Sequence, residues 1–78
     1  MKQLRHEQGI KEFGINLRKI RESKGFTQEM LANKADIEIS QISRIERGII
    51  NTSISQIINI ANALGIHPKE LFEIEVGE

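Results

Sequence analysis

The chain has 78 residues, and its 11 Lys or Arg residues balance 11 Asp or Glu residues, so its formal net charge is zero. A chain of this length makes one small domain with a core that is only just large enough. The absence of cysteine excludes disulfides and thiolate metal sites, and His6 and His67 alone do not make a zinc site. Because no apolar run approaches the ~20 residues of a membrane span and the N-terminus lacks the pattern of a secretory signal, we expect a cytoplasmic protein.

The charges are unevenly distributed along the chain. Residues 1–24 hold seven Lys or Arg against three acidic residues, whereas residues 49–78 hold one against four. This charge distribution is typical of a protein that binds DNA with its basic side, while the low total charge predicts few phosphate contacts. Two solvated helix faces would give the same distribution, so charge alone does not distinguish these two interpretations.

The first predicted helix carries apolar residues at steps of three and four, from Ile10 to Ile20, and Gly25 ends it. A second short helix over about residues 28–34 has Thr27 as a good N-cap, because its hydroxyl can accept from an amide of the first turn. A third follows a turn at Asp36, a residue type that tolerates a left-handed backbone. Together the second and third elements predict a helix-turn-helix motif.

The C-terminal half contains two further helix signals. Ser53 and Gln56 are spaced as a capping box at the start of a fourth helix, and Gly65 is placed to end it. Pro68 fits the first position of a short fifth helix. We therefore expect an all-α fold of five short helices.

Three segments of the sequence, LRKIRESKGFTQEMLA, QISRIERG and ISQIINIANALGIHPKELF, resemble helix-turn-helix regulators related to lambdoid phage repressors, including restriction-modification controller proteins. The resemblance implies a compact five-helix bundle that binds operator DNA as a homodimer, with the second helix of the motif in the major groove. We expect residues 10–72 to form this domain, residues 1–9 an arm that can extend the first helix, and residues 73–78 a tail. No cofactor, metal, membrane or small-molecule effector site is implied.

Two positions depart from the pattern of this family. Asp36 stands where members usually carry Gly, which predicts a more strained turn. Glu38 stands where Ser or Thr usually caps the recognition helix, which predicts a weaker cap.

In the recognition helix, the 3.6-residue period places Ile42 and Ile45 inside and leaves the other side for DNA. Arg44 is the first candidate for reading a base, because its guanidinium can bond both O6 and N7 of guanine; the alternative is a surface or phosphate contact. Ile39 either touches a thymine methyl group or packs back on its own fold. By resemblance, the predicted base-reading residues are Ile39, Ser40, Ser43 and Arg44.

The resemblance also implies contacts with the DNA backbone. Gln28 matches a residue whose amide binds a phosphate at a helix N-terminus. Thr27 is a cap first and a phosphate contact second, and Asn51 can equally be a simple turn residue. The predicted phosphate-binding residues are Thr27, Gln28, Gln41, Arg47 and Asn51. In the family pattern Arg21 and Glu46 oppose each other, so we expect a largely buried structural ion pair.

The C-terminal tail alternates apolar and acidic residues from Phe72 onward. Alternation at period two predicts an extended segment with one apolar side, for which a second copy of the chain is the natural partner. The alternative is a solvated tail with only Phe72 docked. The predicted dimer contacts are Ile66, Leu71, Phe72, Ile74 and Val76.

These features predict a sequence-specific DNA-binding transcriptional regulator; repression and activation remain equally open. The alternative is a protein-interaction module with the same fold, such as an antitoxin-like or adaptor subunit. We do not expect an enzyme, because no carboxylate is spaced with a histidine as a nucleophile, base or metal-ligand set.

Overall fold

The computed structural model describes residues 5–75, which contain α-helices and a short 3-10 helix but no strand. The elements are α1 (Glu7–Ser23), α2 (Gln28–Ala35), α3 (Ile39–Glu46), α4 (Ile54–Leu64) and the 3-10 helix (Pro68–Phe72). Within this described part of the chain, no helix is long and apolar enough to cross a membrane.

Helix α1 begins at Glu7, so part of the predicted arm is helical. Its N-cap is His6, whose Nδ1 accepts from the backbone N–H of Gly9 at 2.9 Å. This bond satisfies one of the amides that a helix start leaves without an intrahelical partner. The boundary expected at residue 10 therefore falls inside α1.

The expected fifth α-helix is a 3-10 helix of five residues, which corrects the predicted helix count. His67 caps it: its Nδ1 accepts from the N–H of Lys69 at 3.0 Å, and its own N–H donates to the Glu70 carboxylate at 3.2 Å. The Asn16 amide donates to the carbonyls of Glu70 and Leu71 at 2.9 and 3.0 Å. A 3-10 helix has poorer hydrogen-bond geometry than an α-helix and is used in such short pieces.

The chain turns directly after this 3-10 helix, so the expectation of an extended tail is wrong at its start. Glu73 has φ −79° and ψ 72°, and the N–H of Ile74 donates to the Phe72 carbonyl at 2.8 Å. These values describe an inverse γ-turn, so this part of the tail is not a regular extended strand, although Phe72 and Ile74 still face the same side of the molecule. The turn returns Ile74 to the core, against which it packs half-buried.

The core is aliphatic and lies where all the helices meet. Its largest fully buried side chains are Leu17, Leu31, Ile42, Ile45, Ile60 and Leu71. Leu71 therefore packs inside its own subunit and is not a dimer contact, because burying a leucine inside the fold contributes about 1.5 to 3 kcal/mol and leaves no surface to share. Ile66 is half-buried against the same core, and Val76 lies outside the described residues.

Helices α1 and α3 cross at very close range at Gly14. A Cβ atom on Gly14 would lie 2.7 Å from the carbonyl oxygen of Glu46 and closer still to that of Ile45, so only glycine fits there. The turn between α2 and α3 passes through Asp36, which has φ 57° and ψ 48° in the left-handed region. The close approach at Gly14 and the turn at Asp36 together orient α3 so that Ile42 and Ile45 face the core.

Candidate nucleic-acid interface

The outer side of α3 is built by helical periodicity. Ile42, Ile45 and Glu46 are buried, whereas Ser40, Arg44 and Arg47 are exposed. Within residues 5–75, the guanidinium of Arg44 makes no ion pair. A charged side chain that is exposed and without an acidic partner is available for an anionic ligand.

The side chains that border Arg44 differ in how they are held. Ile39 is 47% exposed, so it does not pack fully back on its own fold. The Nε of Arg47 donates to the carbonyl of Ser43 at 3.3 Å and to its hydroxyl at 3.2 Å. Arg47, a predicted phosphate contact, is therefore hydrogen-bonded to Ser43, a predicted base-reading residue. Among residues 5–75, no side chain caps α3 at Glu38, as its departure from the family pattern predicted.

Arg21 and Glu46 form a buried two-point contact that joins α1 to α3. The Nε and Nη2 atoms of Arg21 donate to the two carboxylate oxygens of Glu46 at 2.6 and 3.0 Å. The third guanidinium nitrogen donates to the Phe26 carbonyl at 2.8 Å. The hydrogen bond to Glu46 raises the pKa of Arg21 above its ordinary value. A buried pair of this kind is tolerated because its donors and acceptors are satisfied.

Gln28 joins this buried pair instead of pointing outward. Its amide nitrogen donates to Glu46 Oε1 at 3.0 Å, which leaves one N–H of the amide and the helix N-terminus for a phosphate. Beside it, Thr27 caps α2 as predicted, with its hydroxyl accepting from the N–H of Met30 at 3.0 Å. The start of α2 is thus oriented by the same carboxylate that orients α3.

The loop after α3 is held against α1 by contacts that sequence reasoning missed. Gly48 has φ +72°, and a Cβ there would lie 2.9 Å from the Cα of Lys11. The Nη2 of Arg5 donates to the Ile49 carbonyl at 3.1 Å. Nothing in the sequence signals the Arg5 contact, because its partner lies far along the chain. These contacts position the exposed Asn51 beyond the end of the recognition helix.

Behind the loop lies an apolar groove of about 430 Å³, walled by Phe13, Ile45, Ile57, Phe72 and Ile74 among others. The rings of Phe13 and Phe72 pack with their centroids 5.1 Å apart. Phe72 nevertheless keeps 53% of its surface exposed. The groove and this ring form an apolar surface of the described chain.

The fold and the outer side of α3 define a helix-turn-helix DNA-binding protein. The chain belongs to the helix-turn-helix family HTH_3, whose pattern it matches over residues 17–71. This is a family of regulators rather than enzymes.

The chain is similar to control proteins and to a hypothetical transcription factor. It is 45% identical over 62 residues to control protein C.BamHI of Bacillus amyloliquefaciens, a match that covers 78% of this chain and 76% of that protein. The restriction-modification controller protein C.AhdI from Aeromonas hydrophila is 41% identical with a TM-score of 0.80, covering 81% of this chain and 96% of the other. The hypothetical transcription factor NHTF from Neisseria is 31% identical with a TM-score of 0.79, covering 95% and 86%. The protein is a DNA-binding transcriptional regulator.

Proposed function

We propose that two copies of this chain bind a two-fold symmetric operator, with α3 of each copy in the major groove. The observation that carries this proposal is the exposed outer side of α3, where Arg44 lacks an acidic partner within residues 5–75. Arg44 reads a guanine through two hydrogen bonds, and Ile39, Ser40 and Ser43 border it on the DNA side. A dimer places its two recognition helices one turn of DNA apart, about 34 Å.

The proposed backbone contacts lie at the two ends of the motif. At one end, Thr27 and the free N–H of Gln28 meet a phosphate at the N-terminus of α2. At the other, Arg47 and Asn51 meet the opposite wall of the groove. Such contacts orient the protein on DNA without carrying sequence information.

The base-reading role of Arg44 is tested with Arg44→Ala and an operator selected from a random DNA pool. We expect specific binding to weaken by about 1 to 3 kcal/mol, while circular dichroism stays unchanged, because a base contact is lost and no core volume is. Lys19→Ala removes an equal charge from an exposed position on α1 and is the matched control. An Arg44→Ala variant that selects the operator from competitor DNA as well as the parent does would refute this role.

The proposed dimer contact consists of the exposed apolar side chains of α4 and of the 3-10 helix. Ile54 and Ile58 lie one helical turn apart on α4, and 75% of Ile54 is exposed. Phe72 adds its exposed ring, whereas Ile66 and Ile74 contribute only their edges because both pack on the core. Exposed apolar surface of this kind is typical of a protein interface.

The relatives support a narrower proposal, that this regulator controls a restriction-modification system. Sequencing the genes that flank its own tests this directly. Adjacent endonuclease and methyltransferase genes are the expected result, and their absence would leave a general regulator.

A further inference from the structure

Asn59 of α4 joins the turn of the helix-turn-helix motif to a helix that lies outside the motif. Its side-chain nitrogen, Nδ2, donates to the backbone carbonyl of Ala35, the last residue of α2. A carbonyl can only accept, so the Asn59 amide must present its nitrogen at this contact. Because Ala35 is buried and directly precedes Asp36, the hydrogen bond meets the chain where the turn begins.

This hydrogen bond completes the C-terminal end of α2, where a helix leaves its last carbonyls without intrahelical partners. The turn itself satisfies two of them. The N–H of Asp36 donates to the Asn33 carbonyl at 3.3 Å. The N–H of Ile37 donates to the Ala32 carbonyl at 3.0 Å. The Ala35 carbonyl, by contrast, takes its donor from α4, so the end of α2 depends on a distant side chain.

The residue that follows Ala35 makes the turn sensitive to such support. Among residues 5–75, Asp36 is the only residue other than glycine with a positive φ. A left-handed backbone costs free energy in any residue that has a Cβ atom. A strained conformation of this kind persists only where the surrounding structure holds it. Asn59 supplies part of that hold, from a helix that packs against α2.

We propose that Asn59 is a positioning residue for DNA binding: by holding Ala35 it keeps Asp36 left-handed, and it thereby fixes the direction in which α3 leaves the turn. This inference rests on the proposed function, in which α3 enters the major groove. A recognition helix that is correctly oriented for only a fraction of the time binds with an affinity reduced by that fraction. Asn59 acts through the turn and not through a contact of its own with DNA.

The test compares Asn59→Ala with Asn62→Ala, which removes another exposed asparagine side chain from the same helix. For Asn59→Ala we expect the affinity for the selected operator to fall about threefold to tenfold, the range that corresponds to one hydrogen bond. Circular dichroism should show the variant folded, since only an exposed side chain is shortened. Asn62→Ala should bind the operator as the parent does.

A second comparison separates positioning from a general loss of stability. Asp36→Gly removes the cost of the left-handed turn, because glycine has no Cβ atom. In the Asp36→Gly background the turn no longer needs the support of Asn59. We therefore expect Asn59→Ala to lower operator affinity there by less than about twofold, a non-additivity that measures the coupling between the two positions.

Three results would overturn the proposal. Unchanged operator affinity for Asn59→Ala would mean that the hydrogen bond does not position α3. An equal loss in the parent and in the Asp36→Gly background would mean that Asn59 does not act through the left-handed turn. An equal loss for Asn62→Ala would reveal a general effect of shortening side chains on α4. A parent protein that binds no DNA at all would refute the proposed function instead, so the two failures are distinguishable.

Discussion

Glu46 links the three helices that carry the proposed DNA-binding surface. Its carboxylate accepts two hydrogen bonds from Arg21 on α1 and one from Gln28 at the start of α2, while its backbone belongs to α3. Three helices therefore share one buried charge. Removing one member of such a buried pair leaves the other charge without compensation.

Glu46→Ala is expected to lower the free energy of unfolding by about 3 to 5 kcal/mol, because buried Arg21 keeps only the exposed Glu22 carboxylate, 4.0 Å away. Glu29→Ala, which removes an exposed carboxylate that makes no ion pair within residues 5–75, is expected to cost at most about 1 kcal/mol. Urea denaturation compares the two variants. Equal midpoints would show that the buried contact behaves as an ordinary surface pair.

At the scale of the element, the loop after α3 depends on its fit against α1. Gly48 and Gly65 both follow a helix with φ +72°, so an alanine at either position meets the same backbone strain. They differ in their surroundings: a Cβ at Gly48 would meet the Cα of Lys11 at 2.9 Å, whereas nothing lies within 4 Å at Gly65. Comparing alanine substitutions at these two glycines therefore separates the stability lost to backbone strain from the stability lost to the clash with α1.

Gly65→Ala is expected to cost about 1 to 2 kcal/mol, the price of a left-handed alanine. Gly48→Ala should cost about 1 to 3 kcal/mol more, because the loop must also move away from α1. Urea denaturation gives both values, and DNA affinity should fall only for Gly48→Ala, since its loop carries Asn51. Equal losses of stability for the two variants would mean that the loop after α3 moves away from α1 without a free-energy cost.

At the scale of the whole molecule, zero net charge limits how strongly each copy can hold DNA. Few phosphate contacts give weak non-specific binding, and the proposed dimer would add a second recognition helix to each complex. A dimer would therefore offset the low net charge of each copy.

Ile54→Lys is expected to shift the chain from dimer to monomer, because it places a charge in the proposed apolar contact, and to leave the fold intact, because 75% of Ile54 is exposed. Sedimentation at several concentrations measures the shift. Ile15→Lys, which changes an exposed isoleucine on α1, is the control. If Ile54→Lys sediments as the parent does, α4 lies outside the dimer contact.

Periodicity and capping residues predicted most of the helices. Thr27 and Ser53 begin α2 and α4 as expected, with hydroxyls that accept from the N–H groups of Met30 and Gln56. The expected capping box at Ser53 is only half formed, because the Gln56 side chain accepts from the Thr52 hydroxyl. The left-handed turn at Asp36 was also expected. Such features are predictable because their hydrogen bonds join residues only a few positions apart. The contact between Arg21 and Glu46, by contrast, was anticipated through family resemblance.

Local patterns and motif spacing were sufficient to predict the class of the fold, the position of the motif and, by resemblance, the family to which the chain belongs. Three features became visible only in the folded chain: Gln28 turns onto Glu46, Leu71 lies in the core and the chain turns at Glu73. Gln28 and Leu71 find their partners in distant parts of the chain, and Ile74, which follows the turn, packs against the same core. Local patterns specify which backbone hydrogen bonds form, but the direction of a side chain is chosen by whichever distant neighbours offer burial or a hydrogen bond.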